Sequence, residues 1–353
     1  MRFELSEDAE WVRSTVREFA EGELAAGASV RDEEEQYDKN VFNQLARIGL
    51  TGIPWPEQEG GAGSDWLTYA ITVEELSRVC ASTGASLAAH VHASLIISRQ
   101  QCEERRGLIL RELAEGKQLA AYASMEGCEL LGEELVLGGV CRHIANAGSA
   151  DLYVILLPDH GAALMLNLTA AGFELGAQES KLGLRSLSTR ELQFLDCRAA
   201  KDQLLLLKQH GDGPALPDLE LLSSAVQAVG VAQAAMEAAA AYAKSRSQFG
   251  KRIGQHQAIA FKIADMAAKL EAARLLAYQA AWRMDEGLSC WKQADIAGRF
   301  AAEAAAAITT EAVQIFGGYG YMREYRVERY MRDAQSIGAY LPSSGNRGRC
   351  GHA

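Results

Sequence analysis

A short basic turn between two predicted helices carries residues that could hold a phosphorylated ligand. The turn reads Arg246-Ser-Gln-Phe-Gly-Lys-Arg and follows an alanine-rich stretch. The guanidinium of Arg246 suits a diphosphate, because its fixed fork of donors matches phosphate oxygens in pairs. Glycine beside Phe249 lets a ligand approach the backbone closely. From the turn alone, a solvated basic connection between two helices is the simpler interpretation.

A second stretch, Gln314-Ile-Phe-Gly-Gly-Tyr-Gly-Tyr, ends the third predicted bundle helix with three glycines. A helix that ends in a Schellman glycine would explain one of these glycines. It does not explain three glycines interleaved with aromatic residues.

Amphipathic helices position both stretches. Apolar residues step by three and four along 222–240 and 259–280, and a third helix is predicted from about Trp291 to Phe316. The many alanines and glycines in these helices allow close approach, which favours a four-helix bundle.

A different pattern precedes the bundle. Short apolar runs broken by Gly, Asp and Asn predict strands in LAAYASM, EELVLGG, DLYVILLP, AALMLNL, FELGA and RELQFLDC. Helices precede them, with Ser6 as one N-cap and Ser64 or Asp65 as another. We therefore expect three domains, over 1–118, 119–212 and 213–353.

Composition narrows the class of protein. The chain has 353 residues, 48% hydrophobic and 23% charged, which is typical of a soluble globular protein. A net charge of -11 argues against nucleic acid as the main partner. No run of eighteen apolar residues and no signal-peptide pattern occur, so no membrane span is expected. Seven scattered cysteines without CxxC pairs predict reduced thiols in the cytoplasm and no zinc site. His90 and His92 face different sides of a helix, which disfavours a metal pair.

Three motifs together resemble the acyl-CoA dehydrogenase family of flavoenzymes. The basic turn with Gln257 after it matches the family's Arg-x-Gln-Phe-Gly motif, and the segment from Lys181 to Arg198 is similar over its whole length. Arg332-Asp333 matches a third motif, and the likeness spans residues 5 to 335. The resemblance implies an α+β fold with an N-terminal α-helical domain, a middle β-domain and a C-terminal four-helix bundle.

The resemblance also implies FAD as cofactor. In the family the basic turn holds the adenosine and pyrophosphate end of FAD, and the glutamine and glycine pair meet FAD bound mainly to a neighbouring subunit. A homodimer or homotetramer is therefore expected. The residues predicted for the nucleotide end are Arg246, Gln248, Phe249, Gln257, Gln314, Gly317 and Gly318.

The positions that match the flavin-ring half depart from the family. Met125 stands where the family has the threonine of its Thr-Glu-Pro-x-Ala-Gly-Ser-Asp loop, and most of a hairpin after it is missing. The family's Trp-Ile-Thr/Ser is His143-Ile-Ala145 here. We therefore expect FAD held mainly by its nucleotide end, with Met125, His143 and Ala145 beside a more exposed ring.

The catalytic base also departs from the common pattern. Family chemistry needs a carboxylate at the substrate α-carbon, most often in a Tyr-Glu-Gly-Thr turn. That turn reads Tyr340-Leu-Pro-Ser here, with Leu341 in place of the glutamate, and the tail after it resembles no family tail. Some members carry the base at the start of the first bundle helix, in register with Glu220. An acid that favours a helix N-terminus is the alternative role of Glu220.

The function implied is FAD-dependent α,β-dehydrogenation of an acyl-CoA or acyl-carrier thioester to the enoyl thioester. Electrons would pass to an electron-transfer flavoprotein. One alternative is a non-catalytic partner subunit of a related complex, and another is a flavin oxygenase of the same fold. Leu341 and the shortened loop after Met125 favour the partner subunit, whereas Glu220 favours the enzyme.

Overall fold

The computed structural model describes residues 4–131, 134–208 and 213–341. The unusual C-terminal tail, including Pro342 and Ser343, lies outside these described residues. Helices come first, and their bounds are α1 Glu7–Phe19, α2 Ala25–Glu34, α3 Lys39–Arg47, α4 Trp66–Val79, α5 Ala81–Ser98 and α6 Glu103–Ala114. Two predicted caps are confirmed: Ser6 Oγ accepts from Ala9 N at 3.2 Å, and Asp65 rather than Ser64 accepts from Thr68 N at 2.8 Å.

A β-sandwich follows. Its strands are β1 Ala120–Ser124, β2 Glu129–Leu131, β3 Glu134–Ala145, β4 Leu152–Leu157, β5 Ala162–Leu166, β6 Phe173–Gln178, β7 Thr189–Ala200 and β8 Leu204–Leu206. They form two four-stranded sheets in the orders β1-β4-β5-β8 and β2-β3-β7-β6. The six predicted strands are confirmed. The sequence missed β2 and β8, because three residues are too few to show alternation.

The side chains of strand β1 alternate between two hydrophobic cores. Ala121, Ala123 and Met125 point into the sandwich core, whereas Ala120 and Tyr122 pack against the helical core. Side chains of one strand alternate between the two faces of its sheet. Tyr122 is thereby presented to the helices.

The C-terminal region is a helical bundle, which confirms the predicted fold class. Its elements are α7 Leu216–Ser245, the hairpin strands β9 Ser247–Gln248 and β10 Lys251–Arg252, then α8 Gln257–Asp285, α9 Trp291–Phe316 and α10 Val327–Ala339. Helix α7 is central and packs against α4, α8, α9 and α10. A Cβ built on Gly230 would lie 2.2 Å from the carbonyl oxygen of Glu74, so α4 and α7 approach too closely for a larger residue.

Helix α7 is also long and apolar enough to cross a membrane by length and composition alone. Within the described residues it is the one helix with that property, and 78% of its most apolar window is buried inside the protein. A buried core helix shows the same composition.

Buried ion pairs join the N-terminal helices to the bundle. Glu74 Oε1 accepts from Arg274 Nε at 2.9 Å, and its Oε2 accepts from Tyr278 Oη at 2.7 Å. Glu75 is fully buried and accepts from Arg17 Nη2 at 2.7 Å. Removing one partner of a buried pair leaves an uncompensated charge, which is strongly destabilising. These pairs therefore fix α4 on α8 and α1 on α4.

Two of the motifs that resemble the family contact each other. Leu184 N donates to Asp333 Oδ1 at 2.7 Å, and Gly183 N donates to Ser336 Oγ at 2.9 Å. Arg332 Nη1 donates to the carbonyl of Leu182 at 3.1 Å. These motifs tie the loop before β7 to α10.

Candidate active site

An open cavity lies where α7 and α9 end. It has a volume of about 510 Å³ and is lined by Tyr242, Arg246, Gln248, Ile253, Ile315, Phe316, Gly317, Gly318, Tyr319 and Met322. Four residues predicted from two separate motifs thus surround one space. We call it the nucleotide cavity.

Aromatic rings frame this cavity, and the sequence analysis did not assign them to it. Tyr242 stacks on Phe316 with ring centroids 4.1 Å apart, and the Arg246 guanidinium lies 5.5 Å from the centre of the Tyr319 ring. A guanidinium over an aromatic face is held there electrostatically. The aromatic residues between the glycines were the signal that could have identified Tyr319.

The glycine pair leaves room for a ligand. Gly317 has φ +59°, and a Cβ built on Gly317 or on Gly318 would meet no atom within 4 Å. The space beside both backbones is therefore open to a ligand, although the Gly317 N–H itself donates to the carbonyl of Gln314. Together with the Arg246 guanidinium, this cavity fits the diphosphate end of a dinucleotide such as FAD.

Three other residues predicted for the nucleotide end lie at the edge of this region. Phe249 is 92% exposed at the tip of the β9–β10 hairpin, with φ 54°. Gln257 is exposed at the first position of α8, and Gln314 is exposed near the end of α9. None of the three lines the nucleotide cavity, so their contact with FAD stays a prediction.

The residues predicted for the ring half lie on the β-domain. Met125 is buried in the sandwich core, and its N–H donates to the carbonyl of Leu156 at 2.9 Å. His143 has an exposed side chain, and its Nδ1 lies 2.8 Å from Glu179 Oε1. Ala145 pairs with Thr189 at the end of β3. Their contact with a flavin ring stays a prediction.

The carboxylate of Glu220 lies between α7 and β1. Tyr122 donates a hydrogen bond from its hydroxyl to Glu220 Oε1. Helix α7 begins at Leu216 and its first-turn acid is Asp218, so Glu220 lies beyond the turn where a helix dipole favours acids. Burial raises the pKa of Glu220, and the bond from Tyr122 opposes that rise.

A neutral polar network surrounds this pair. Ser223 Oγ donates to the carbonyl of Leu219 at 2.7 Å, so it accepts from Tyr69 Oη at 2.8 Å and from His92 Nε2 at 2.9 Å. The His92 ring meets the Tyr122 ring edge to face at 5.7 Å. Burial lowers the pKa of His92 to about 3, so this ring is uncharged at neutral pH.

His90 turns to the other side of α5, as its spacing from His92 predicts. Its Nδ1 accepts from Ala120 N at 3.2 Å, so Nε2 carries the proton and donates to the carbonyl of Leu113 at 3.1 Å. Burial lowers the pKa of His90 to about 4. In the described ranges, no three His, Cys, Asp or Glu side chains are grouped so as to hold a metal ion.

The two sequence positions considered for the base lie close together. A Cβ built on Gly298 of α9 would lie 3.1 Å from Leu221 Cδ2 and 3.5 Å from Leu341 Cδ2. Leu221 directly follows Glu220 in the chain. Leu341, where the resemblance places a glutamate, therefore lies close to Leu221 near the start of α7, whereas the Glu220 side chain turns towards Tyr122.

The nucleotide cavity and Glu220 lie far apart within one chain. Arg246 follows Glu220 by 26 residues on the continuous helix α7 and its C-cap, a distance of about 39 Å at 1.5 Å per residue. One dinucleotide cannot bridge that distance. A cofactor with its ring at this Glu220 must therefore take its diphosphate contacts from elsewhere.

Comparison with known proteins agrees with the fold and the motifs. Residues 6–117 match the family model "Acyl-CoA dehydrogenase, N-terminal domain", and residues 218–341 match "Acyl-CoA dehydrogenase, C-terminal domain". A short-chain specific acyl-CoA dehydrogenase of Clostridium acetobutylicum is 37% identical, over 98% of this chain and 97% of that protein.

Two solved structures share the whole architecture. Butyryl-CoA dehydrogenase from Megasphaera elsdenii has a TM-score of 0.90 and 34% identity, over 98% of this chain and 97% of that one. A chain from a structure described as the electron transferring flavoprotein of Acidaminococcus fermentans has a TM-score of 0.90 and 36% identity, with the same coverage. The chain belongs to the acyl-CoA dehydrogenase family.

Proposed function

We propose that this protein oxidises an acyl-CoA thioester to the α,β-enoyl thioester with FAD. The observation that carries the proposal is the half-buried Glu220 carboxylate, which Tyr122 holds through Oε1. Within the described residues its other oxygen has no hydrogen-bond partner, so it can accept a proton. A positioned carboxylate whose pKa is raised by burial is suited to general-base chemistry near neutral pH.

In this mechanism Glu220 removes the α-proton of the thioester. FAD, when bound, supplies the acceptor for the hydride that leaves the β-carbon. Arg246 would hold its diphosphate, and Gly317 and Gly318 would leave room for it beside their backbones. Burial keeps the Glu220 carboxylate partly desolvated, which raises its pKa.

We propose further that each complete site is built from two copies of the chain. The separation of about 39 Å along α7 supports this, because base and nucleotide cavity cannot share one FAD within a chain. Exposed apolar side chains on α8 and α9 offer a face for a second copy: Phe261, Leu275, Ile296 and Phe300. A mass near one chain, 38.1 kDa, by light scattering at micromolar concentration would contradict this assembly.

Short-chain acyl-CoA is the proposed substrate, because the relatives compared above carry short-chain or butyryl in their names. An electron-transferring flavoprotein is the proposed acceptor, on the likeness to the Acidaminococcus chain. The cytoplasm remains the proposed compartment, which agrees with free thiols at the six described cysteines.

The deciding experiment is anaerobic bleaching of the flavin absorbance by butyryl-CoA and by palmitoyl-CoA. We expect a flavin spectrum, and faster bleaching by butyryl-CoA. Glu220→Gln should keep the flavin and lower the bleaching rate by about 10²- to 10⁴-fold. Glu237→Gln, further along the same helix, is the matched control.

The second candidate function is that of a partner subunit without catalysis. Leu341 in the usual base position favours it. A purified protein that binds FAD but never bleaches with any acyl-CoA would support this alternative and contradict the enzyme.

A further inference from the structure

The hydroxyl of Tyr122 is the one group that donates to Glu220 in the part of the chain that the structure describes. Tyr122 lies on the helical face of β1, and its neighbours Ala121 and Ala123 point into the sandwich. It is 98 residues from Glu220 in sequence. The contact therefore arises from the docking of the β-domain on α7.

The surroundings of Glu220 make this donor important. The titratable groups facing the pair are His92 from α5 and Tyr69 from α4, and both are buried and neutral at pH 7. On α7 itself, Asp218 lies half a turn earlier and contacts Cys290. The described residues place no cation at the half-buried Glu220 carboxylate, and such a carboxylate depends on hydrogen bonds to stay ionised.

The geometry of the bond also orients the base. Tyr122 binds Oε1 and leaves Oε2 as the proton acceptor. The ring of Tyr122 is itself held by the edge of His92, which Ser223 fixes through its hydroxyl. The hydroxyl that meets Glu220 is thus presented by a rigid support rather than by a mobile side chain.

We propose that Tyr122 is a positioning residue that holds the Glu220 carboxylate ionised and oriented for proton abstraction. This inference rests on the proposed function of Glu220. It assigns the stabilisation of the base to a neutral tyrosine of the β-domain, at a position where the sequence offers no adjacent arginine.

The first test reads the carboxyl group directly and needs no turnover. Protein labelled with ¹³C-glutamate is titrated in the infrared, and the same spectrum of Glu220→Gln is subtracted to isolate the Glu220 band. In Tyr122→Phe we expect the midpoint of this band to move to higher pH. Tyr69→Phe, which removes a hydroxyl from the same network without touching Glu220, should leave the midpoint in place.

The second test is the pH profile of flavin bleaching. Tyr122→Phe should lower the rate at pH 7 by about tenfold, and the rate should recover as the pH rises. If Tyr122→Phe fails to fold, 3-fluorotyrosine at position 122 keeps the ring and strengthens the donor, so the midpoint should move to lower pH.

The outcomes separate the two proposals. An unchanged Glu220 midpoint in the Tyr122 variants, with Glu220→Gln inactive, overturns only the role of Tyr122. If Glu220→Gln bleaches as fast as the wild type, the proposed function of Glu220 itself is overturned.

Discussion

The two ends of α7 carry two different kinds of site. At its C-terminal end the nucleotide cavity is open, carries the Arg246 guanidinium and is framed by aromatic rings, of which Tyr319 is exposed. At its N-terminal end Glu220 is half-buried among neutral hydroxyls and an uncharged histidine. The first suits an anion that arrives from solvent. The second suits a proton transfer that requires low polarity.

The difference lies also in how each site is encoded. The nucleotide cavity is formed by residues from two short stretches, each of which includes both backbone and side-chain contributors. The surroundings of Glu220 are formed by single residues from four separate elements, α4, α5, β1 and α7. Local motifs therefore describe the first site and not the second.

The largest expected effect concerns the base. Because Leu341 and Leu221, the residue after Glu220, both lie beside Gly298 of α9, we expect a carboxylate at 341 to reach the same substrate as Glu220. Glu220→Gln alone should lose about 10²- to 10⁴-fold in bleaching rate. Adding Leu341→Glu should recover at least about tenfold of that loss.

The double variant is compared with Leu341→Gln in the Glu220→Gln background, which adds a polar group of the same size without a base. Equal rates in the two double variants would show that position 341 does not reach the substrate.

A fall in pH should lower the stability of the folded protein through His90, which lies on the other side of α5 from His92. Because the folded-state pKa is about 4 and the ordinary value is 6.5, the unfolded chain takes up the proton first as pH falls. Stability is therefore full above about pH 6.5 and is lost as pH falls towards 4. One fully buried histidine accounts for about 3 kcal/mol of that loss.

Urea unfolding at pH 7 and pH 4 measures this loss. His90→Gln supplies both a donor and an acceptor without titrating, so its free energy of unfolding should fall by about 3 kcal/mol less over the same range. An equal fall in the two proteins would mean that His90 is not held neutral.

Nucleotide affinity of the cavity should depend on the single charge of Arg246. Arg246→Ala removes the charge-assisted donor, so affinity for both FAD and ADP should fall by about 10- to 100-fold. Lys251→Ala on the same hairpin is the control, because its amine bonds to the Gln255 carbonyl and lines no part of the cavity. Binding of FMN as tight as FAD would show that the cavity does not anchor the cofactor.

The smallest expected effect on FAD affinity comes from the residues predicted to lie beside the flavin ring. His143 is exposed and already pairs with Glu179, so His143→Ala should change FAD affinity by less than about threefold. Titration of the apoprotein with FAD measures this. A loss of FAD affinity as large as that of Arg246→Ala would mean that the ring half holds FAD as strongly as the nucleotide end.

The sequence predicted the elements more completely than the contacts. Alternation and helical spacing identified the six longer strands and the bundle, and the Arg246 and Gly317 motifs identified one cavity. Tyr122 could not be recognised, because its partner is fixed by the packing of a strand on a helix. Tyr319 cannot be assigned from the sequence, because an aromatic residue between glycines can have many roles. Its contact with the Arg246 guanidinium is visible only in the structure. The sequence predicts only a turn at the β9–β10 hairpin, because two-residue strands carry no periodic signal.

The length of α7 has a genetic consequence. If each complete site joins the Glu220 end of one copy to the Arg246 end of another, two defective alleles can complement each other. A mixed dimer of Glu220→Gln and Arg246→Ala chains has one site with both defects and one site with neither. At an FAD concentration too low to load the Arg246→Ala sites, random co-assembly in equal amounts should then restore about a quarter of the wild-type activity, although each variant alone is nearly inactive. A site contained within one chain could not be rescued in this way.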